Sequence, residues 1–205
     1  MGLLCDVGEL TARLVGSPDI QSFLDQIVAM VSDAIGADVC SIYLYEEDTD
    51  ELVLRATRGL DPGCVGTVRL KVGEGLTGQA VKELRPIRDD NAPNNPRFKH
   101  VPGSNEEAFQ ALLAVPVTKG LEKIGALVVQ RRQGHGFHEN DGRALQVIAS
   151  QLVSAIDSAR LVMRIRPAQS RSDGQQLAEL PRLIQGKAAS PGFACAPATV
   201  EDTAR

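Results

Sequence analysis

The spacing of apolar positions changes several times along the chain, and each change marks an element. Leu3, Val7, Leu10 and Leu14 recur at helical intervals, and the break Gly16-Ser17-Pro18-Asp19 follows. Phe23, Leu24, Ile27, Val28, Val31, Ala34 and Ile35 then predict a second amphipathic helix, closed by Gly36. From Val39 to Glu46 the period becomes two, with Cys40, Ile42 and Leu44 on one face and Ser41, Tyr43 and Tyr45 on the other. An acidic turn over 46–51 leads to a strand over 52–58, so the two read as an antiparallel hairpin. A third strand is predicted over 65–72. Two more are expected over 111–118 and 124–131, joined by the turn 119–123. The longest helix is predicted over 138–164, with Leu145, Ile148, Ala149, Leu152, Ala155 and Ile156 in its apolar stripe.

Residues 65–98 hold the most unusual stretch. An alternating strand (Val68, Leu70, Val72) runs through Gly73, Gly75 and Gly78 into a short helix that Pro86 cuts off, and a Pro/Asn loop follows. So much irregular backbone cannot itself form a core, which predicts a lid over something else. Residues 99–110 are polar, with a weak helical signal at 105–109. Helices at both ends of an antiparallel sheet of five or six strands predict an α+β fold, terminal helices on one face and lid on the other. Small residues on the last helix (Ala149, Ala155, Ala159) suit bundling with a second copy, which predicts a homodimer through the terminal helices. The same stripe also serves to cover the chain's own sheet.

Composition narrows the function classes. The chain has 205 residues, 43% apolar and 3% aromatic with no Trp, which allows one globular domain plus a piece of another. A net charge of -4 offers no basic face to nucleic acid. The longest apolar runs, 111–117 and 124–129, fall far short of the about 20 residues that span a bilayer, so no membrane is expected as a partner. Met1-Gly2 lacks the Ser or Thr at position 6 that myristoylation wants, because Asp6 stands there. Four cysteines (Cys5, Cys40, Cys64, Cys195) form no Cys-x-x-Cys pair, as expected of a cytoplasmic protein. His135 and His138 lie on a Gly-rich loop without a further ligand at metal spacing before Glu139, and His100 lies in the polar loop. No metal site and no catalytic residue is expected.

Gly73-Glu74-Gly75-Leu76-Thr77-Gly78 matches a dinucleotide-binding fingerprint between a strand and a helix. The strand before it alternates, unlike a buried parallel strand, and the helix after it is too short for a crossover. Sharp backbone turning explains the glycines, and an anionic ligand held at the helix start is the intermediate alternative.

ADVCSIYLYEED, LVLRATRGL, VGEGLTGQAVKELRPIRDDNAPNNPRF, LLAVPVTKGLEKIGALVVQ and GFHENDGRALQVIASQLVSAI, in that order, resemble a GAF domain over roughly residues 10–162. After a Pro/Ser/Gln/Gly linker over 166–182, residues 183–205 contain Gly186-Lys187-Ala188-Ala189-Ser190-Pro191-Gly192. This segment is similar to the opening strand of the phosphohistidine domain of enzyme I, the phosphoenolpyruvate-protein phosphotransferase. Cys195 and Ala196 depart from that pattern. Together these parts resemble the nitrogen-type enzyme I, with a GAF domain over 1–165. The resemblance implies a fragment that does not transfer phosphate itself. It places magnesium, phosphoenolpyruvate and a phosphocarrier protein partner with the parent enzyme, and implies sensing of glutamine or 2-oxoglutarate by this domain. Other GAF proteins bind cyclic nucleotides, haem or bilins, or reduce free methionine sulfoxide with lid cysteines, and residues 71–118 contain no Cys. A dimerisation module with a vestigial pocket is a further alternative.

Strand parity selects the pocket residues, since one sheet face meets the helices and the other the lid. Ser41, Tyr43, Arg55, Leu76, Ala80, Ile87, Asp89, Asp90, Phe109, Leu112, Ala114 and Pro116 are the ligand-binding candidates. Arg55 suits a carboxylate, and Asp89 or Asp90 an ammonium group. The alternative is that Arg55 bridges Glu47 or Asp50 at the surface and the aspartates cap the loop.

Overall fold

A computed structural model describes residues 20–132 and 136–157. The expected helix over 3–15, the linker, the tail over 183–205 and His135 lie outside the described residues. Helix α1 (Ile20–Ile35) buries Phe23, Leu24, Ile27, Val28 and Val31, one face of the 3.6-residue period. It ends where Gly36 turns to φ +66°. There the Ala37 N–H donates to the Ser32 carbonyl at 3.0 Å, closing the last turn. Arg131 donates to the carbonyls of Ile35 (2.6 Å) and Gly36 (3.1 Å), placing a cation at the negative end of the helix.

Six strands follow: β1 (Val39–Glu46), β2 (Glu51–Arg58), β3 (Arg69–Lys71), β4 (Ile87–Asp89), β5 (Ala111–Lys119) and β6 (Glu122–Arg131). They form one sheet in the order β3-β2-β1-β6-β5-β4, every neighbouring pair antiparallel. The antiparallel order leaves no place for a dinucleotide crossover at the glycine turn. Strand β3 is shorter than the 65–72 predicted from alternation. A 3-10 turn over Pro62–Cys64 comes just before that range. The Thr67 hydroxyl donates to the carbonyls of Gly63 and Cys64 at 2.9 and 3.0 Å, a local bonding that competes with the ladder.

Helix α2 (Gly75–Glu83) stops at Leu84, whose left-handed φ of 51° lets its N–H return to the Ala80 carbonyl. Residues 139–157 are helical (α3). The sheet separates two apolar clusters. On one face Cys40, Ile42, Leu113, Val115, Leu127 and Val129 meet α1 and the Leu145, Ile148, Leu152 and Ile156 stripe of α3. On the other, Tyr43, Leu52, Leu54, Leu112, Ala114, Ala126 and Val128 meet Leu76, Ala80 and Val81 of α2, with Phe98 and Val101 of the following loop. The faces expected of β1 are thus the faces found: Cys40 and Ile42 toward the helices, Tyr43 toward the lid.

Candidate functional site

The space between sheet and lid is built from the glycine turn outward. Gly73 and Gly75 hold φ of +94° and +67°, conformations that L side chains rarely adopt. The Gly73 N–H donates to the Gly78 carbonyl at 2.8 Å. A Cβ at Gly78 would lie 2.5 Å from the Lys71 carbonyl oxygen, so the motif lets α2 lie directly on the strand before it. Its glycines serve close packing. Glu74 precedes the helix but makes no side-chain cap. Its carboxylate instead accepts from the Lys71 N–H at 3.0 Å and pairs with Lys99 at 2.8 Å. Both contacts hold it below the usual carboxylate range, Lys99 most of all.

Under this turn lies a cavity of about 20 Å³ lined by Tyr43, Leu70, Gly75, Leu76, Thr77, Phe98, Lys99, Glu106 and Leu112. That space has room for about one water molecule. It is far below the roughly 300 Å³ at which ligand pockets begin. The lid is therefore closed onto the sheet, and Tyr43 is only 2% exposed. Burial pushes the Tyr43 phenol well above its ordinary range, and the Glu106 carboxylate adds to the rise.

Glu106 is the residue that pattern reading missed. It sits at the start of the 3-10 turn Glu106–Ala108, inside a polar segment with no periodicity to show which way it faces. Burial pushes its carboxyl up to about 7, against a hydrogen bond from the Gln130 side chain and with a small push from Glu107. Gln130, on β6, is 2% exposed, and its Oε1 has no hydrogen-bond partner among the described residues.

The sequence candidates divide into three groups. Tyr43, Leu76 and Leu112 line the cavity. Ala80, Ala114 and Ile87 belong to the apolar cluster around it, and Pro116 is half-buried further along β5. The rest point elsewhere. Ser41 is buried with its hydroxyl 2.8 Å from that of Thr57. Phe109 packs with Val39 and Leu60, with the Arg132 guanidinium 5.1 Å from its ring centre. Asp89 accepts from the Asn91 N–H and the Asn95 amide, capping its loop, and Asp90 is exposed.

Arg55 sits where the β1–β2 register shifts between Ile42 and Tyr43, opposite no residue of β1. It pairs with Glu46, which also accepts from Arg69. The surface bridge weighed as the alternative is thus present, with Glu46 in place of Glu47 or Asp50. Arg55→Ala is expected to weaken the salt dependence of stability. Denaturant unfolding of the variant beside the parent at low and high salt checks this, and an unchanged salt dependence would show that the bridge contributes nothing.

Nucleophilic chemistry finds little support on this face. Cys64 is 7% exposed with its Sγ 3.8 Å from the Gly103 carbonyl, and burial raises its thiol above the ordinary value, away from thiolate. Among the described residues no three His, Cys, Asp or Glu side chains are grouped to hold a metal ion. No described helix is long and apolar enough to cross a membrane.

Residues 17–157 match the family model of the GAF domain. The chain is 30% identical to a phosphoenolpyruvate-dependent phosphotransferase system protein of Escherichia coli, covering 89% of this chain and 26% of that protein. The GAF domain from an Acinetobacter phosphoenolpyruvate-protein phosphotransferase is 31% identical with a TM-score of 0.68, covering 80% of this chain and 98% of that structure. The corresponding domain from Coxiella burnetii is 31% identical with a TM-score of 0.64, covering 82% and 96%. The chain spans about a quarter of the length of the curated relatives it matches.

Proposed function

Because this chain belongs to the GAF domain family, related to the GAF domains of phosphoenolpyruvate-protein phosphotransferases, we propose that it senses a small metabolite for such an enzyme. The parent would be a nitrogen-type enzyme I whose downstream domains use magnesium and phosphoenolpyruvate and phosphorylate a carrier protein. The ligand class is an amino acid or keto acid, glutamine or 2-oxoglutarate. One observation carries this reading: Tyr43, Thr77, Lys99 and Glu106 converge on a cavity otherwise lined by Leu70, Leu76, Phe98 and Leu112. A few polar groups of opposite character in an apolar seat are what a zwitterion or a dicarboxylate requires.

The closed cavity defines how sensing works. A metabolite enters only when the lid stands off the sheet, so ligand binding favours the opened arrangement by its differential affinity, typically 1–3 kcal/mol of coupling. Helix α3 precedes the linker in the chain and is the element that carries that shift onward. Calorimetry of the chain with glutamine and with 2-oxoglutarate tests the proposal. Saturable heat from either supports it, and two flat titrations overturn it.

A second reading has its own support. With only about 20 Å³ left between lid and sheet, the domain also fits a ligand-free dimerisation module. Val147 of α3, 43% exposed, lies on the helix that would meet the second copy. Flat titrations together with a dimeric mass in solution favour this reading.

A further inference from the structure

Glu106 and Gln130 form an unequal pair. The amide of Gln130 donates to the Glu106 carboxylate, while Gln130 Oε1, buried on the lid face of β6, accepts from no described residue. A buried acceptor without a donor is costly, and few survive in folded domains. A carboxylic acid in place of the carboxylate removes the fault, because acid and primary amide can close a ring of two hydrogen bonds, O–H to Oε1 and N–H to the acid carbonyl.

The surrounding charges favour the same acid form. Glu107 beside it is the like charge that disfavours an ionised Glu106, while Tyr43 of β1 and Cys64 of the first 3-10 turn, both raised by burial, face it as a neutral phenol and a neutral thiol. His100 faces Glu107, at 3.5 Å. Lys99 also lines the cavity, but its ammonium is paired with Glu74. Among the described residues the Glu106 carboxyl thus lacks a cation of its own inside the closed lid.

We propose that Glu106 selects the ligand, releasing to solvent a carboxyl proton held against the Gln130 amide and taking the ammonium group of an α-amino acid in its place. The assignment rests on the metabolite-sensing reading and deepens it, since a keto acid has no ammonium to offer. The rise of the Glu106 carboxyl to about 7 puts the exchange within the physiological range. A dicarboxylate such as 2-oxoglutarate would meet Glu106 as a like charge once the proton leaves.

The test is calorimetry of the whole chain with L-glutamine and with 2-oxoglutarate at pH 6 and pH 8, in two buffers of different ionisation enthalpy. Glutamine is expected to bind about tenfold more weakly at pH 6 than at pH 8, with about one proton released per ligand at the lower pH. In Glu106→Gln the pH dependence and the proton release should vanish and glutamine affinity should fall, while 2-oxoglutarate affinity should not fall. Glutamine binding that is equal at both pH values, or unaltered in Glu106→Gln, overturns the assignment and leaves the sensing function standing. No heat from either metabolite overturns both. Independently of any ligand, carboxyl resonances of the labelled chain should show Glu106 titrating near neutrality. A midpoint in the ordinary carboxylate range counts against the proposal even if glutamine binds.

Discussion

Substituting Gly125 by valine is expected to prevent the domain from folding, and Gly125→Ala to cost more than about 4 kcal/mol of stability. Gly125 lies on β6 opposite Leu44 of β1, in the central pair of the sheet. A Cβ there would lie 2.0 Å from the Tyr43 carbonyl oxygen and 3.2 Å from the Leu44 Cα. Both are backbone atoms of a strand hydrogen-bonded on both edges, so neither has a rotamer by which to withdraw. Relief would require β1 and β6 to separate, and both apolar clusters rest on those strands. Set against the roughly 5–15 kcal/mol that holds a domain folded, the loss leaves little. Guanidinium unfolding of the alanine variant and the soluble yield of the valine variant check this. A Gly125→Ala midpoint equal to that of the parent would show that the two strands can part at no cost.

The second large effect is a pH dependence of stability with the opposite sign to that of an ordinary ion-paired carboxylate. Glu106 titrates near 7 in the folded domain against a usual value of 4.5. Between those values the folded state binds more protons than the unfolded one, so stability falls as pH rises. The contribution is complete below about 4.5 and lost as pH passes about 7, a difference of about 3 kcal/mol. Glu106→Gln should remove it, leaving the variant about as stable as the parent at pH 4.5 and more stable at pH 8. Glu74 behaves in the reverse sense. Its lowered value, due first to Lys99, makes its contribution present above the ordinary carboxylate range and lost as acid is added. The two windows do not overlap, so paired denaturation curves from pH 4.5 to 8 isolate Glu106. Parallel curves for parent and variant across that range would mean that the carboxyl is solvated in the folded domain.

Pattern reading reached most of the framework because each element buries one face, and burial writes its period into the chain. Helix α1, β1, β2, β5 and β6 stand close to where their spacing placed them. The lid was legible from its glycines and from Pro86, residues chosen by backbone geometry and therefore independent of partners far away. Even the assignment of Tyr43 to the lid side followed from counting by twos.

Counting failed where the register slipped. At the irregularity between Ile42 and Tyr43 one residue of β2 has no partner, and it is Arg55, so its guanidinium turns to Glu46 and Arg69's network at the rim. A bulge leaves no mark in alternation, since it is decided by how two strands twist against each other. Asp89 and Phe109 lie away from the cavity for a related reason. Polar and aromatic residues in loops carry no period, so their direction depends on which neighbour supplies a bond or a surface: Asn91 and Asn95 for Asp89, Val39 and Leu60 for Phe109.

By itself, then, the sequence determined the antiparallel sheet, the helix-covered face, the hinged lid and the family, all consequences of local periodicity and backbone preference. Only the tertiary structure decided that the lid is shut on about 20 Å³. It alone also brought Glu106 from a patternless loop against Gln130, 24 residues away in β6. The physical reason is that volume left over and proton affinity are properties of what surrounds a group, and those surroundings are assembled from segments distant in the chain.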